Sequence, residues 1–229
     1  LETTDLFRPW AAILLNITPD HMNRYRDEAE YAAAKVRLFR NQTADDVAVL
    51  NVADPVTAGV AAGLPHPCLH VHVHDERANG FLQGEDLMVR LPGEAPVRVA
   101  GWGDMFLAAE HYATDALCAA VVALSAGVSP EAIRAGLRAW RPAGHQLQEV
   151  ATIGGVRFID DSKATNPEAA TADLQTCKRP LFVIGGGDTK GRDMTAYADA
   201  VARLADAAFL IGDGAAEIAR ALGDRVPVT

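Results

Sequence analysis

The sequence predicts an α/β protein. Short apolar runs with the character of buried strands recur along the chain, stretches with helical periodicity separate them, and the loops after several runs are rich in Gly, Asp, Ser and Lys. Alternation of this kind indicates parallel βαβ units, in which ligands bind beyond the carboxyl ends of the strands.

The elements follow in order. Ala11 to Ile17 reads as a buried strand that ends at Thr18-Pro19-Asp20, because Pro19 cannot donate to a ladder; His21 stands in the loop beyond. Glu28 to Arg40 reads as a helix, with Tyr31, Ala34, Leu38 and Phe39 on one apolar stripe and Lys35 beside it. Val47–Val52 is a second buried strand, Pro55–Ala62 a short helix and His70–His74 a third strand. Leu87–Leu91 and Val97–Ala100 read as a hairpin joined through Pro92-Gly93. Helices are expected at Thr114–Ser125 and at Pro130–Trp140, the latter capped by Ser129 with Pro130 in its first turn.

Around Arg141-Pro142-Ala143-Gly144 the pattern breaks, which puts a domain boundary between 1–143 and 144–229. A fresh alternation follows: strands at Val156–Ile159, Leu181–Ile184 and Ala208–Ile211, helices at Glu168–Leu174, Met194–Leu204 and Ala215–Leu222. The 229 residues, 49% of them hydrophobic, suffice for two modest cores.

Composition removes several classes of function. A net charge of −9 leaves no broad basic surface, so neither nucleic acid nor an anionic membrane is an expected partner. The three cysteines, Cys68, Cys118 and Cys177, form no disulfide framework or zinc-ribbon pattern, which fits a reducing cytoplasm. No apolar run reaches the roughly 18 residues of a membrane helix. A start at Leu1 rather than Met leads us to expect a piece of something longer.

Chemistry concentrates in a few places. Gly185 to Gly191 reads G-G-G-D-T-K-G, which matches neither the dinucleotide fingerprint nor a P-loop, and no P-loop occurs in the chain. It is either a clash-avoiding turn or, given Lys190, a compact site for a carboxylate or phosphate. In Asp160-Asp161-Ser162-Lys163-Ala164-Thr165-Asn166 a helix entry accounts for Asn166 and Pro167, but not for Asp161 or Lys163. Glu2, His21 and Lys35 have the makings of a divalent-metal corner, in which a bare lysine amine is a poor magnesium ligand and a carbamylated one a good one. Cys68, His70, His72 and His74 alternate along one strand; a solvated face is the favoured reading, zinc the alternative.

Three stretches together, Asn16 to Tyr25 (N-I-T-P-D-H-M-N-R-Y), Tyr31-Ala32-Ala33-Ala34-Lys35 and Asp160 to Asn166, resemble the Mur ligase family. The resemblance spans nearly the whole chain. It implies the later part of a P-loop-type central, ATP-binding domain in 1–143 and a truncated Rossmann-like, amino-acid-binding domain in 144–229. It also implies a P-loop and a UDP-binding domain upstream of Leu1, and a further segment beyond Thr229, so that the 229-residue piece is inactive by itself. The implied activity is that of a monomeric cytoplasmic enzyme of peptidoglycan precursor synthesis. Using ATP and Mg2+, it joins D-glutamate to UDP-N-acetylmuramoyl-L-alanine through an acyl phosphate.

Carried over residue by residue, the resemblance makes Glu2, His21 and Lys35 metal ligands, with Lys35 carbamylated, and gives His21, Lys35 and Lys163 catalytic roles. It makes Asp161, His145 and Asp115 nucleotide contacts, and Thr165 and Lys190 contacts to D-glutamate. The chain departs from the family pattern at Gln146, where an arginine is usual, and at Tyr112 and Asp115, which replace asparagines. Two other readings stay open: a folate-extending ligase of the same superfamily, which would lack the Asp160–Asn166 run, and a non-catalytic nucleotide- or partner-binding module on the same scaffold.

Overall fold

The computed structural model of the chain describes residues 1–18, 24–107 and 109–229. It divides into two compact units, Leu1–Trp140 and Arg141–Thr229.

The first unit is built on β1 (Ala11–Leu14), β2 (Val47–Asn51), β3 (Leu69–Val71), β4 (Gly80–Gln83), β5 (Asp86–Val89) and β6 (Val97–Gly101), hydrogen-bonded in that order. The β1–β4 strands run parallel, whereas β5 is antiparallel to both of its neighbours. The helices are α1 (Glu28–Val36), α2 (Pro55–Gly63), α3 (Glu110–Ser125) and α4 (Pro130–Ala139). Strand alternation separates two cores. Ala12, Leu14, Ala48 and Leu50 pack with Tyr31 and Phe39, and Val49, Val71, Leu87, Val89 and Val99 pack with α3. The buried stripe of α3, Ala113, Ala116, Leu117, Ala120 and Val121, has helical spacing, and its alanines let the helix lie close to the sheet. At Gly80 any Cβ would come within 3.0 Å of Val71 Cγ2 and 3.2 Å of Val121 Cγ2.

Caps set the helix starts. Asp27 accepts from the Glu30 N–H, Asp54 from Thr57 and Ser129 from Ala132, with Pro55 and Pro130 opening their first turns. The α1 helix tightens into a 3₁₀ turn over Arg37–Phe39, so the expected helix to Arg40 is present in two forms.

Two expectations for this unit need correction. The third strand stops at Val71, although His72 N–H still donates to Gly80 O at 3.0 Å and Val73 O still accepts from Leu82 N–H. Cys68 Sγ lies 3.4 Å from His70 Nε2, and His74 Nε2 lies 3.3 Å from Glu110 Oε2. β4 was not expected, because it is four residues long and begins with a glycine; it pairs with β5 across Gly84, whose φ of 63° suits a tight hairpin.

The second unit holds β7 (Gln148–Ile153), β8 (Val156–Asp160), α5 (Pro167–Leu174), β9 (Phe182–Gly186), α6 (Thr195–Leu204), β10 (Ala207–Ile211) and α7 (Ala215–Leu222). β9 and β10 pair in parallel, and Val228 bridges to Ala208 on β10. One face of this pair, with Val183 and Ala208, packs on Tyr197, Ala198 and Val201 of α6 and on Ile218 and Leu222 of α7. The other presents Phe182, Ile184, Phe209 and Ile211. β7 and β8 form a separate antiparallel hairpin turned by Gly154-Gly155, both at positive φ. The expectation of parallel βαβ units is therefore corrected for β8, which among the described residues pairs antiparallel with β7 and not with β9.

Asp104 is the main buried charge of the first unit, 5% exposed, and it ties the β6 end to α4. It accepts from Gly101 N–H at 3.0 Å, Arg134 Nε at 2.8 Å and Arg138 Nε at 2.6 Å. Burial opposes its ionisation, but the two guanidiniums and the N–H more than offset that and hold its carboxyl below the ordinary range. A depressed folded pKa contributes stability that is present above the unfolded value and lost as pH falls through the folded one. Asp104→Ala should lower the stability of the first unit by about 1–3 kcal/mol at neutral pH, and the deficit should shrink on acidification. Urea melts monitored by tryptophan fluorescence at two pH values check both.

Candidate functional site

A concavity of about 720 Å³ in the second unit opens between the Asp160–Pro167 and Gly185–Arg192 loops. Its floor depends on a close passage of two backbones. Gly186 has φ 147°, and a Cβ there would lie 1.7 Å from the Ile211 carbonyl oxygen. Gly187 N–H donates to Ile211 O at 3.0 Å, and Gly214 N–H donates to Gly187 O at 2.6 Å. These bonds join the loop after β9 to the loop after β10.

The Asp160–Asn166 run is held from several sides. Asp160 Oδ2 meets His145 Nδ1 at 2.7 Å and Asp160 Oδ1 accepts from Ser162 N–H at 2.9 Å. His145 and the Ser162 N–H bring the Asp160 carboxyl down to about 2. His145, at φ 67°, also accepts from Lys163 N–H through its carbonyl. Asp161 Oδ1 accepts from Leu147 N–H at 3.0 Å. Burial, with Asp173 adding to it and the Leu147 N–H opposing, raises the Asp161 carboxyl to about 6. Asn166 caps α5 by accepting from Ala169 N–H, as the sequence leads one to expect.

Across the cavity, Lys190 stands at φ 54° with its N–H donating to Asp188 Oδ1. Thr189 donates to Glu217, and Arg192 Nη2 meets both Glu168 oxygens at 2.8 and 2.7 Å. The structure thus brings Asp161, Thr165 and Lys190 to the lining of one cavity, while Lys163 stays off it, exposed. Sequence reasoning passed over Asp173, Arg192 and Tyr197, which also line it. Arg192, two residues beyond Lys190 in a glycine-rich turn, was the legible one.

The residues proposed for metal binding lie in the first unit. Glu2 Oε2 accepts from Arg24 Nη2 at 2.5 Å, and Arg24 and Tyr25 hold its carboxyl below the ordinary range. Lys35 Nζ sits 4.8 Å from the Tyr31 ring centroid, a cation–π contact. His21 lies outside the described residues. Among the described residues no three His, Cys, Asp or Glu side chains converge on a cation position. Arg24 takes only one Glu2 oxygen, and Glu2 Oε1 is buried with no hydrogen-bond partner among the described residues, an orphaned hard donor of the kind a magnesium ion would satisfy. Asp115 lies one turn beyond His111 on α3; desolvation raises its carboxyl and His111 opposes the rise. Tyr112 is buried, its ring 6.0 Å from that of Trp140.

Fold and site together define a two-unit α/β protein whose second unit carries a cavity beside its glycine-rich strand end, lined by both acids and cations. Residues 2–122 match the Mur ligase middle domain, and residues 145–228 match the Mur ligase glutamate ligase domain. The first match alone covers more than half of the chain, and the chain belongs to the Mur ligase family. Similar curated relatives include the UDP-N-acetylmuramoylalanine--D-glutamate ligases of Pelotomaculum thermopropionicum, 37% identical over 97% of this chain and 50% of that protein, and of Acidobacterium capsulatum, 35% identical over 100% and 50%. The chain spans about half the length of these relatives. Among solved structures, MurF from Acinetobacter baumannii matches with a TM-score of 0.73 at 24% identity, over 96% of this chain and 50% of that one. Folylpolyglutamate synthase from Mycobacterium tuberculosis matches at 0.63 and 19%, over 98% and 55%. At these identities the structural likeness shows the fold alone. No helix among the described residues is long and apolar enough to cross a membrane.

Gly186→Ala should disrupt the second unit, because the new methyl would occupy the place of the Ile211 carbonyl oxygen. We expect a loss of at least about 2 kcal/mol and faster proteolysis confined to 141–229. Gly187→Ala, which meets nothing within 4 Å, should cost only the strain of its φ of 89°. Limited proteolysis of the two variants side by side checks the contrast.

Proposed function

We propose that the chain serves an ATP-dependent amide-bond ligase that adds D-glutamate to UDP-N-acetylmuramoyl-L-alanine. The observation that carries this reading is the similarity to relatives of that name along 97–100% of the chain, with the Asp160–Asn166 run lining the cavity. A folate-extending ligase shares the fold but is not favoured by those relatives. In this reading 1–143 is the later part of the ATP-binding domain and 144–229 the amino-acid-binding domain. The protein is cytoplasmic and monomeric, and it acts in cell-wall precursor synthesis.

The roles assigned are these. Lys190 compensates the side-chain carboxylate of D-glutamate and Thr165 donates to it; both line one cavity. Lys163 acts near the reacting groups. Asp161, His145 and Asp115 contact the nucleotide, Asp161 through its free acceptor positions and His145 through the loop it fastens to Asp160. Glu2, His21 and Lys35 would hold Mg2+, with Lys35 as its carbamate and Glu2 through Oε1, the oxygen that Arg24 does not engage. Mg2+ there would neutralise phosphate charge.

Phosphate release that requires both D-glutamate and UDP-N-acetylmuramoyl-L-alanine, measured on a protein carrying this chain at the length of its relatives, tests the activity; release with a folate in place of the nucleotide sugar would overturn it. In the same assay Lys190→Ala should raise the KM for D-glutamate by roughly 30-fold, about 2 kcal/mol of lost charge pairing, with little change in the KM for the nucleotide sugar. An equal rise for both substrates would remove Lys190 from the amino-acid site.

A further inference from the structure

The helix after the glycine-rich turn carries a polar group that its packing does not need. Tyr197, in the first turn of α6, is 6% exposed, and its ring belongs to the core of the second unit with Val183, Ala198 and Ile218. A phenylalanine ring would fill that place equally well. The hydroxyl instead imposes a constraint on the neighbouring strand. A Cβ placed on Gly185 would lie 2.6 Å from the Tyr197 hydroxyl oxygen, while the next atoms, Tyr197 Cζ and Val183 Cγ1, stand at 3.7 Å. Gly185, unlike Gly186 and Gly187, is not at positive φ. The phenol oxygen, not the backbone, therefore keeps position 185 free of a side chain.

That oxygen has no hydrogen-bond partner among the described residues, although tyrosine hydroxyls buried to this degree ordinarily find one. Tyr197 lines the cavity together with Thr165, Lys190 and Arg192, so the missing partner has room on the ligand side. The start of α6 borders the same space, since its N-cap Met194 also lines the cavity and supplies no side-chain cap. The positive end of a helix favours an anion there. Burial raises the phenol above its ordinary pKa, so at neutral pH it keeps its proton and can donate.

We propose that Tyr197 is a further ligand-binding residue of this cavity: its hydroxyl donates a hydrogen bond to a carboxylate of the bound amino acid, alongside Lys190 and Thr165. The identity of the ligand rests on the reading of the cavity as a D-glutamate site; the unpartnered hydroxyl does not. The two groups contribute differently. Lys190 brings a point charge on a flexible stem, whereas the Tyr197 ring is locked in the core and leaves its hydroxyl only rotation about the C–O bond. A donor fixed in this way loses little freedom when the ligand binds.

The hydroxyl can be removed without disturbing the ring. In the phosphate-release assay on a protein carrying this chain at the length of its relatives, Tyr197→Phe should raise the KM for D-glutamate at least about tenfold, while kcat and the KM for the nucleotide sugar stay within about twofold. The melting temperature of the 229-residue chain should hold or rise, because a buried hydroxyl without a protein partner adds nothing to the fold. An unchanged KM for D-glutamate, or a rise accompanied by a lowered melting temperature, overturns the proposal. Binding is read apart from turnover by titrating D-glutamate into the 229-residue chain labelled with carbon-13 at the tyrosine ζ-carbons, the Tyr197 resonance being the one that Tyr197→Phe removes. That resonance should shift saturably, and its failure to move overturns the proposal. A saturable shift without any D-glutamate-dependent phosphate release would refute the ligase reading and leave the hydroxyl site standing.

Discussion

The second unit depends on one steric constraint, the passage of the Gly186 backbone against the carbonyl of Ile211. Only a residue without Cβ leaves room for that oxygen, and only then can Gly187 N–H reach it at 3.0 Å. Once the contact is made, the loops after β9 and β10 are fastened side by side, with Gly214 bonded back to Gly187. That fastening holds the Thr189–Arg192 turn, including Lys190 at its left-handed φ, opposite the end of β8. The glycines are therefore conditions for placing the cations, whatever those cations bind.

Charge in the cavity is distributed unevenly and mostly satisfied in place. Asp160 has His145, Arg192 has Glu168 and the Lys190 N–H has Asp188. Pairs of this kind, partly exposed, add little stability, but they fix the loops that carry them. An amino-acid ligand, the one proposed, brings an ammonium and carboxylates to a cavity lined by Asp160, Asp161, Asp173 and Asp188 and by Arg157, Lys190 and Arg192.

The alternation of strands and helices was legible because most elements are long, capped and regularly patterned: Asp27, Asp54, Ser129 and Asn166 all cap the helices that the sequence places after them. What was not legible were short or antiparallel pieces. β4 opens on a glycine demanded by Val71 of the neighbouring strand and by Val121, far away in sequence, and β7 is an exposed hairpin arm with no buried face to mark it. The third strand was read too long for a related reason, since period-two spacing at Cys68–His74 continues past Val71, where the strand ends. Of the candidate site, Asp161, Thr165 and Lys190 were legible from their loops. Asp173 was not, because helical residues are read by periodicity, and a single acid on α5 looks like solvent-facing charge until its burial is seen.

The residues left over after local structure has been accounted for point to the chemistry. In the Asp160–Asn166 run, Asp160 secures His145, Ser162 closes a turn on Asp160 and Asn166 caps α5. Each would be selected by folding alone. Asp161 is only half explained by the Leu147 N–H, and Thr165 and Lys190 reach a shared cavity without a structural task for their side-chain ends in the bonds that hold these loops. The same test applied to the first unit gives a different result: Glu2 is bonded to Arg24 and Lys35 covers Tyr31, so both have structural partners. A metal role there falls to Glu2 Oε1, which is buried without a partner among the described residues, and to a Lys35 that would have to leave the Tyr31 ring, whereas Thr165 and Lys190 bring their side-chain ends to the second unit's cavity with no such exchange. The amino-acid end of the proposed reaction therefore has the firmer physical footing in this chain.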